Sequence, residues 1–365
     1  MLDVAEMELT GALNTALNEI TRPLMSGNGH NQRRAAPYSL RPATMDDAQA
    51  VVDVANAYSL VQHGAAEEDV EDMQVHWATP GFDLGRDVRV AVAADGRVVG
   101  FLEIWDPNNP HVTIRAWGRV HPDYQGQGVG RQLLGWAEQR ARQSIPLTPD
   151  GARVVLHSHA PSTDAAAHIL FEQSGFTLIR HSWRMLIEME TAPLEPVWPA
   201  GITWRTLVVG QDERVAIQAV QDSFQDHWGY VARPLDEELQ VWRHFMTHDP
   251  LFDPSLWFLA MYGDQVAGVS LCWPPRPPED PEMGWLGTLG VRRPWRKQGL
   301  GLALLYHTFG EFYRRGHHKV GLGVDASNLT GATRLYEKAG MRVARQYDLY
   351  EKELRPGVDL TTQTL

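Results

Sequence analysis

The hydrophobic and polar positions of this chain follow one pattern that is written twice. Apolar runs of strand length at 89–93 and 98–105 flank the turn pair Asp95-Gly96, and runs at 257–261 and 266–273 flank Gly263-Asp264. Two such runs around a tight glycine turn predict a β-hairpin in each half. Ahead of each hairpin lies a short opening strand, Ser39-Leu-Arg-Pro42 or Thr203-Trp-Arg-Thr206, and a helical segment beginning near Asp46 or near Asp212. After each hairpin a fourth strand, from about Val112 and from about Trp285, ends in valine at Val120 and at Val291. A helix with an apolar stripe follows, carrying Leu134, Ala137 and Ala141 in one half and Leu302, Leu305, Phe309 and Phe312 in the other. A buried strand (153–156; 320–324), a short helix (163–174; 330–339) and closing strands (177–189; 342–354) complete each copy.

Between the fourth strand and the striped helix each half carries a glycine loop, Gln125-Gly-Gln-Gly128-Val-Gly130 and Arg296-Lys-Gln-Gly299-Leu-Gly301. Glycines let the backbone turn and approach closely, and the free N–H groups at a helix start point at an anion such as a phosphate. One such hexapeptide is weak evidence, but two copies in matching surroundings are strong. The longest gapless match between the halves is 167–176 with 332–341.

The repeat divides the chain into an appendage at 1–37, a first domain at 38–190, a Pro-rich linker at 191–201, a second domain at 202–354 and a tail at 355–365. Val4, Met7, Leu9, Leu13, Leu17 and Ile20 predict one amphipathic helix in the appendage. The expected fold class is α/β, with two separate domains, each a mixed and mostly antiparallel sheet flanked by helices. A length of 365 residues suits two cores better than one.

Composition narrows the function. The formal net charge of -12 argues against nucleic acid as a partner, and it is compatible with a cationic small substrate. No apolar run reaches the roughly 20 residues that span a bilayer, and the acidic start does not read as a secretory signal. One cysteine, Cys272, leaves no internal disulfide and fits a reducing compartment, so a cytoplasmic protein is expected.

The order strand, glycine loop, helix, with Leu335-Tyr-Glu-Lys338 near the end, resembles the GNAT acyltransferase family over 38–354, as two complete copies. Its most specific stretch is 324–341. Two copies on one chain are similar to the tandem members of that family, mycothiol synthase among them. The resemblance implies an enzyme that moves an acetyl group from acetyl-CoA to a primary amine of a small molecule or peptide, with no metal. It implies that Leu289, Gly290 and Val291 bond the pantetheine arm through their main chain. The pyrophosphate would rest on Gln298, Gly299, Leu300, Gly301 and Leu302, beside Arg296 and Lys297. Asn328 would contact the cofactor, and Tyr336 would protonate the departing thiolate. The first-half counterparts are Val120, Gln125, Gly126, Gln127, Gly128, Val129 and Gly130.

The halves differ at two of these positions. Phe171 stands where the second half has Tyr336, and Thr163 where it has Asn328. A phenyl ring cannot donate a proton, so the second half is expected to be catalytic and the first degenerate. No base announces itself; Glu282, at the start of the second fourth strand, is the nearest candidate, with Asp325 and water as competitors. Asp226, His227 and Trp228 lie where relatives grip the acceptor. His157 and His159 share one strand face, a spacing that raises metal binding, but no third ligand is evident. Cys272 aligns with Ile104 and reads as a small core residue. Two rival functions share this fold: a regulatory acyl-CoA-binding protein, and an aminoacyl transferase.

Overall fold

The computed structural model describes residues 38–363 except 108, 277, 279, 329 and 330. The helix expected within 1–37 and the position of Thr330 therefore lie outside the described residues. The first half runs β1 (Tyr38–Pro42), α1 (Ala48–His63), α2 (Val70–Trp77), α3 (Leu84–Asp87), β2 (Val88–Ala93), β3 (Val98–Trp105) and β4 (Thr113–Val120). It continues with α4 (Val129–Arg142), β5 (Val154–Pro161), α5 (Ala165–Gln173) and β6 (Thr177–Glu188). The second half runs β7 (Ile202–Thr206), α6 (Glu213–Phe224), α7 (Leu235–His248), β8 (Trp257–Tyr262), β9 (Gln265–Trp273) and β10 (Met283–Val291). It ends with α8 (Leu300–Arg314), β11 (Lys319–Asp325), α9 (Ala332–Lys338) and β12 (Arg342–Arg355).

The same local devices recur in both halves. Asp47 and Asp212 precede α1 and α6, and the arginine of the opening strand holds each one. Arg41 Nη2 lies 2.7 Å from Asp47 Oδ1, and Arg205 Nη2 lies 2.8 Å from Asp212 Oδ1. Gly128 and Gly299 precede α4 and α8 with φ of 88° and 90°. Only glycine takes that left-handed turn without strain.

Among the described residues all twelve strands belong to one sheet, in the order β1-β2-β3-β4-β5-β12-β6-β11-β10-β9-β8-β7. The β4–β5 and β10–β11 pairs are parallel and the others antiparallel. This corrects the expectation of two separate domains. The closing strands are exchanged: β6 of the first half lies against β11, and β12 of the second lies against β5. They meet each other in the middle, from Arg342↔Leu186 to Glu351↔Thr177. Because β6 and β12 occupy equivalent places in the repeat, the hydrophobic pattern alone does not distinguish this pairing from one within each half.

Each core is therefore finished by the other half. Tyr350 and Leu354 of β12 are buried with Leu133, Leu156 and Phe171, while Met185 of β6 and Met189 are buried with Leu304, Phe309 and Tyr336. Helices cover both faces. α1 and α2 lie on one face of the first half and α4 and α5 on the other. α6 and α7 lie opposite α8 and α9 in the second half. The linker is not free either, since Trp198 packs on the second core with its ring 5.7 Å from that of His307. Among the described residues no helix is long and apolar enough to cross a membrane.

Candidate active site

The site begins where two parallel strands part. β10 and β11 pair at Met283↔Lys319, Gly284↔Val320 and Trp285↔Gly321, and no further. Beyond Trp285 a bulge interrupts the β9–β10 ladder between Leu286 and Thr288, and β11 stays with β6 as far as Asp325. The main-chain groups of β10 that face the gap thus have no strand partner there. The glycine loop closes this open end. Lys297 has a φ of 60° and Gly299 one of 90°, so the chain turns sharply and presents the first N–H groups of α8.

A cavity of about 810 Å³ occupies the gap. Leu289, Gly290, Val291, Arg296 and Lys297 line it, as do Gly299, Leu300, Gly301 and Leu302. Asn328 and Tyr336 line it as well. Asn328 Oδ1 also accepts from the Ala332 N–H at 3.4 Å, which ties it to the start of α9. Of the predicted cofactor residues in this half, Gln298 alone is absent from the lining; it is exposed and bonds the Pro294 carbonyl at 2.9 Å. Gly301 acts differently from the expectation. A Cβ there would stand 3.2 Å from Leu335 Cδ2, so this glycine lets α8 pack on α9.

The cavity continues into the first half, which the repeat pattern did not foretell. Thr113, Arg115, His157 and His159 line it from β4 and β5, and Arg180 and His181 from β6. The strand exchange brings β6 here, so no alignment within the second half finds these side chains. Trp228 sits at the junction, its ring 6.2 Å from that of His157 and nearly parallel to it, with the Arg180 guanidinium 4.5 Å over its face. Arg180 is held by Asp325 at 2.7 Å and His157 by Glu351 at 3.1 Å. His181 Nδ1 lies 2.7 Å from Asp348 Oδ1. Burial works to raise the Asp348 carboxyl, but hydrogen bonds from Ser162 and His181 outweigh it and keep the group below the usual carboxylate range.

Two expected roles, those of Glu282 and Asp226, are corrected. Glu282 stands exposed beside the closed end of the β10–β11 cleft and does not line the cavity. Asp226 is buried and turned away from the acceptor space, held by Arg293 and Arg296. The Arg293 hydrogen bonds and then those of Arg296 depress its carboxyl, against the effect of burial. Arg296 is a clamp: Nε bonds the Val291 carbonyl at 2.9 Å, Nη1 bonds Asp226 at 2.5 Å, and Nη2 bonds the Ser223 carbonyl at 2.8 Å. It fastens the glycine loop to the end of α6. His227 and Trp228 do line the cavity, and burial holds the His227 imidazole down to about 4, so it is neutral near pH 7.

The first half keeps its loop but spans its cleft. β4 and β5 pair from Thr113↔Val155 to Ala116↔Ser158 and then part. Across that gap Tyr58 of α1 donates to Asp164 Oδ2 at 2.6 Å, and the Arg119 guanidinium lies 4.8 Å over the Tyr58 ring. Tyr58 and Asp164 are both buried. Phe171 is buried against Tyr350, with ring centroids 5.0 Å apart, and Thr163 reaches only Gln62 at 3.5 Å. Neither Val120 nor any residue of 125–130 lines the large cavity. Among the described residues no cluster of three or more His, Cys, Asp or Glu could hold a metal ion. Cys272 is fully buried, and burial pushes its thiol up to about 12, which suits a core residue and not a nucleophile.

The comparisons with known proteins agree with this architecture. The acetyltransferase (GNAT) domain model matches residues 86–178, and the acetyltransferase (GNAT) family model matches 217–341. The chain is 31% identical over 252 residues to the mycothiol acetyltransferase of Salinispora arenicola, covering 68% of this chain and 76% of that protein. It is 30% identical over 300 residues to that of Geodermatophilus obscurus, covering 79% and 90%. Among solved structures, a GCN5-related N-acetyltransferase from Sphaerobacter thermophilus superposes with a TM-score of 0.72 at 34% identity, covering 90% of this chain and 99% of that one. A tandem GNAT protein from the clavulanic acid biosynthesis pathway shares the fold, with a TM-score of 0.66 at 19% identity, covering 88% and 99%. With two glycine-loop halves, a splayed cleft and these relatives, the chain belongs to the GNAT family in its tandem form, as an acetyl-CoA-dependent N-acetyltransferase.

Proposed function

We propose that the second half transfers the acetyl group, and that the acceptor is a small-molecule primary amine entering from the first-half side of the cavity. One observation carries this reading: a single cavity runs from the glycine loop, past Tyr336, to Trp228, Arg180 and His181. The cleft suits acetyl-CoA. Main-chain N–H groups at the start of α8 receive the pyrophosphate, Lys297 stands beside them, and the unpaired edge of β10 at 289–291 bonds the pantetheine arm. Bound there, acetyl-CoA supplies the thioester that is attacked.

The chemistry then needs a proton acceptor and a proton donor. His181 is the acceptor in this reading. A carboxylate only accepts, so the 2.7 Å contact with Asp348 puts a proton on Nδ1, and in the neutral ring the Nε2 lone pair is then the one that can accept. As the amine nitrogen bonds the acetyl carbon and the carbon–sulfur bond breaks, Tyr336 gives its phenolic proton to the leaving thiolate. Trp228 and Arg180 bound the space in which the acceptor is oriented.

The named relatives are mycothiol acetyltransferases, so the first amine to test is the form of mycothiol that lacks the acetyl group. Incubation with acetyl-CoA and a panel of amines headed by that compound, read by mass spectrometry, should show the gain of one acetyl group on nitrogen. No acetylated product from any amine of the panel would overturn the reading.

A further inference from the structure

We propose that residues 357–363, beyond the last strand, are a positioning strap that sets the acceptor wall of the cavity. The proposal rests on the reading that the amine enters beside Trp228. Leaving β12, the chain crosses the first half at 151–153. The Arg153 N–H donates to the Val358 carbonyl at 2.8 Å, and the Val358 N–H to the Gly151 carbonyl at 2.8 Å. The crossing is close enough to demand glycine at 357, where a Cβ would stand 2.6 Å from Ala152 C and 2.8 Å from Arg153 N. Arg153 also reaches Asp359 at 3.5 Å.

From this anchor the strap passes to the second half. The Gly229 N–H donates to the Thr362 carbonyl at 2.8 Å, and the Thr362 N–H to the Tyr230 carbonyl at 2.9 Å. Thr362 Oγ1 donates to the Gln225 carbonyl at 3.1 Å, and Trp228 Nε1 donates to Gln363 Oε1 at 2.9 Å. These four bonds fall on the segment between α6 and α7 that supplies His227, Trp228, Gly229 and Tyr230 to the cavity. That segment has no strand or helix of its own between Phe224 and Leu235. Besides short-range turn bonds, it is held by the Asp226 clamp at one end and, at the other, by Val231 packing on Val112 and Ala152 and by the Gln221 side chain donating to the Arg233 carbonyl at 3.3 Å. The strap fastens the middle, where Trp228 meets His157 and Arg180. Losing it leaves the glycine loop and Tyr336 untouched and frees the wall that orients the amine, so acceptor binding should suffer while acetyl-CoA binding does not.

The test uses the full chain, a Thr362→Pro/Gln363→Ala variant and a variant ending after Arg355. Amide exchange at Gly229 should accelerate by about tenfold or more in both variants: the truncation removes the Thr362 carbonyl that accepts from Gly229, and the double substitution removes the Thr362 N–H, Thr362 Oγ1 and Gln363 Oε1 bonds that hold that carbonyl in place. The KM for the mycothiol amine should rise about tenfold, with kcat at saturation and the calorimetric acetyl-CoA affinity within about twofold of the parent. An unchanged Gly229 exchange rate, an unchanged acceptor KM, or acetyl-CoA affinity falling in step with that KM would each overturn the proposal. If the parent acetylates no amine of the panel, the functional reading fails by itself, and the exchange and acetyl-CoA arms decide the strap.

Discussion

Tyr58 and Ser223 stand at the same place in the two halves, each eleven residues after the aspartate that opens its helix. What each meets decides the fate of its cleft. Ser223 lies beside Gly290, close enough that a Cβ on the glycine would be 2.9 Å from the serine Cβ, and both line the open cavity. Tyr58 meets Arg119, the counterpart of Gly290, and reaches across the strand gap to Asp164. One cleft is left open by two small residues, and the other is spanned by a buried phenol under a guanidinium. The lesson is that the repeated frame and the repeated site are separable. The frame rests on Arg–Asp pairs, packing glycines and apolar stripes present in both halves, whereas the slot depends on two side chains.

The largest test of the comparison is to cut the chain. The first half in isolation loses β12, which pairs with β5 from Val154 to Pro161 and buries Tyr350 and Leu354 in its core. Truncating one such buried side chain costs about 2–5 kcal/mol, against a whole-domain margin of roughly 5–15 kcal/mol. Residues 38–200 expressed alone should therefore show no cooperative unfolding transition, and mixing them with 201–365 should restore one. A stable, monomeric isolated half would break the account of strand exchange.

The next effects are on turnover. Tyr336→Phe should lower kcat roughly 10²-fold with acetyl-CoA affinity unchanged, while Phe171→Tyr in the first half rescues nothing. His181→Gln should lower kcat/KM by a similar factor near neutral pH, with acetyl-CoA affinity unchanged. Full kcat in Tyr336→Phe would move the proton donor elsewhere. A His181→Gln enzyme with the parent kcat/KM would return the search for the base to its beginning.

The smallest effect concerns a buried histidine beside the spanned cleft. Burial, reinforced by the charges of Arg345, Arg119 and Arg184, holds the His63 imidazole down to about 3. Glu67 is 4.0 Å away, but it also pairs with Arg345 at 2.7 Å. The unfolded chain takes up that proton near pH 6.5, so between about pH 6.5 and 3 it binds more protons than the folded chain. The histidine's contribution is constant above that window, and stability falls as pH drops through it, by about 1.4 kcal/mol per pH unit for one group. Burial lowers His227 and His307 to about 4, with the same sign. His63→Gln should flatten the slope of urea-derived stability between pH 7 and 5 by about one proton's worth. An identical slope would mean that His63 is not kept neutral.

Much of this was legible in the sequence, and the gaps have physical causes. Element order, both hairpins and both helix starts follow from periodicity and turn residues, which are local. The exchange of β6 and β12 was not legible, because the two strands are repeats and the apolar pattern does not say which partner each one takes. That one ambiguity also hid the acceptor wall, since Arg180 and His181 reach the second-half cavity only through the exchange. His157 and His159 did carry a signal, two imidazoles on one face, but the metal reading of it found no third ligand. The glycine motif pointed to the right place for a mixed reason. Gly130 and Gly301 both face a leucine of the next helix, Leu170 and Leu335, so their recurrence reflects packing and does not by itself mark two cofactor sites. Asp226 was read as a substrate group because a buried acid beside aromatics looks the same in sequence whether it faces a ligand or an arginine.

The central claim is that one cleft of the two takes acetyl-CoA, and calorimetric titration of the full chain tests it most directly. The account predicts one acetyl-CoA per chain, and none in Ser223→Tyr, which places in the second half the side chain that spans the first. Two sites per chain, or one site surviving in Ser223→Tyr, would contradict it.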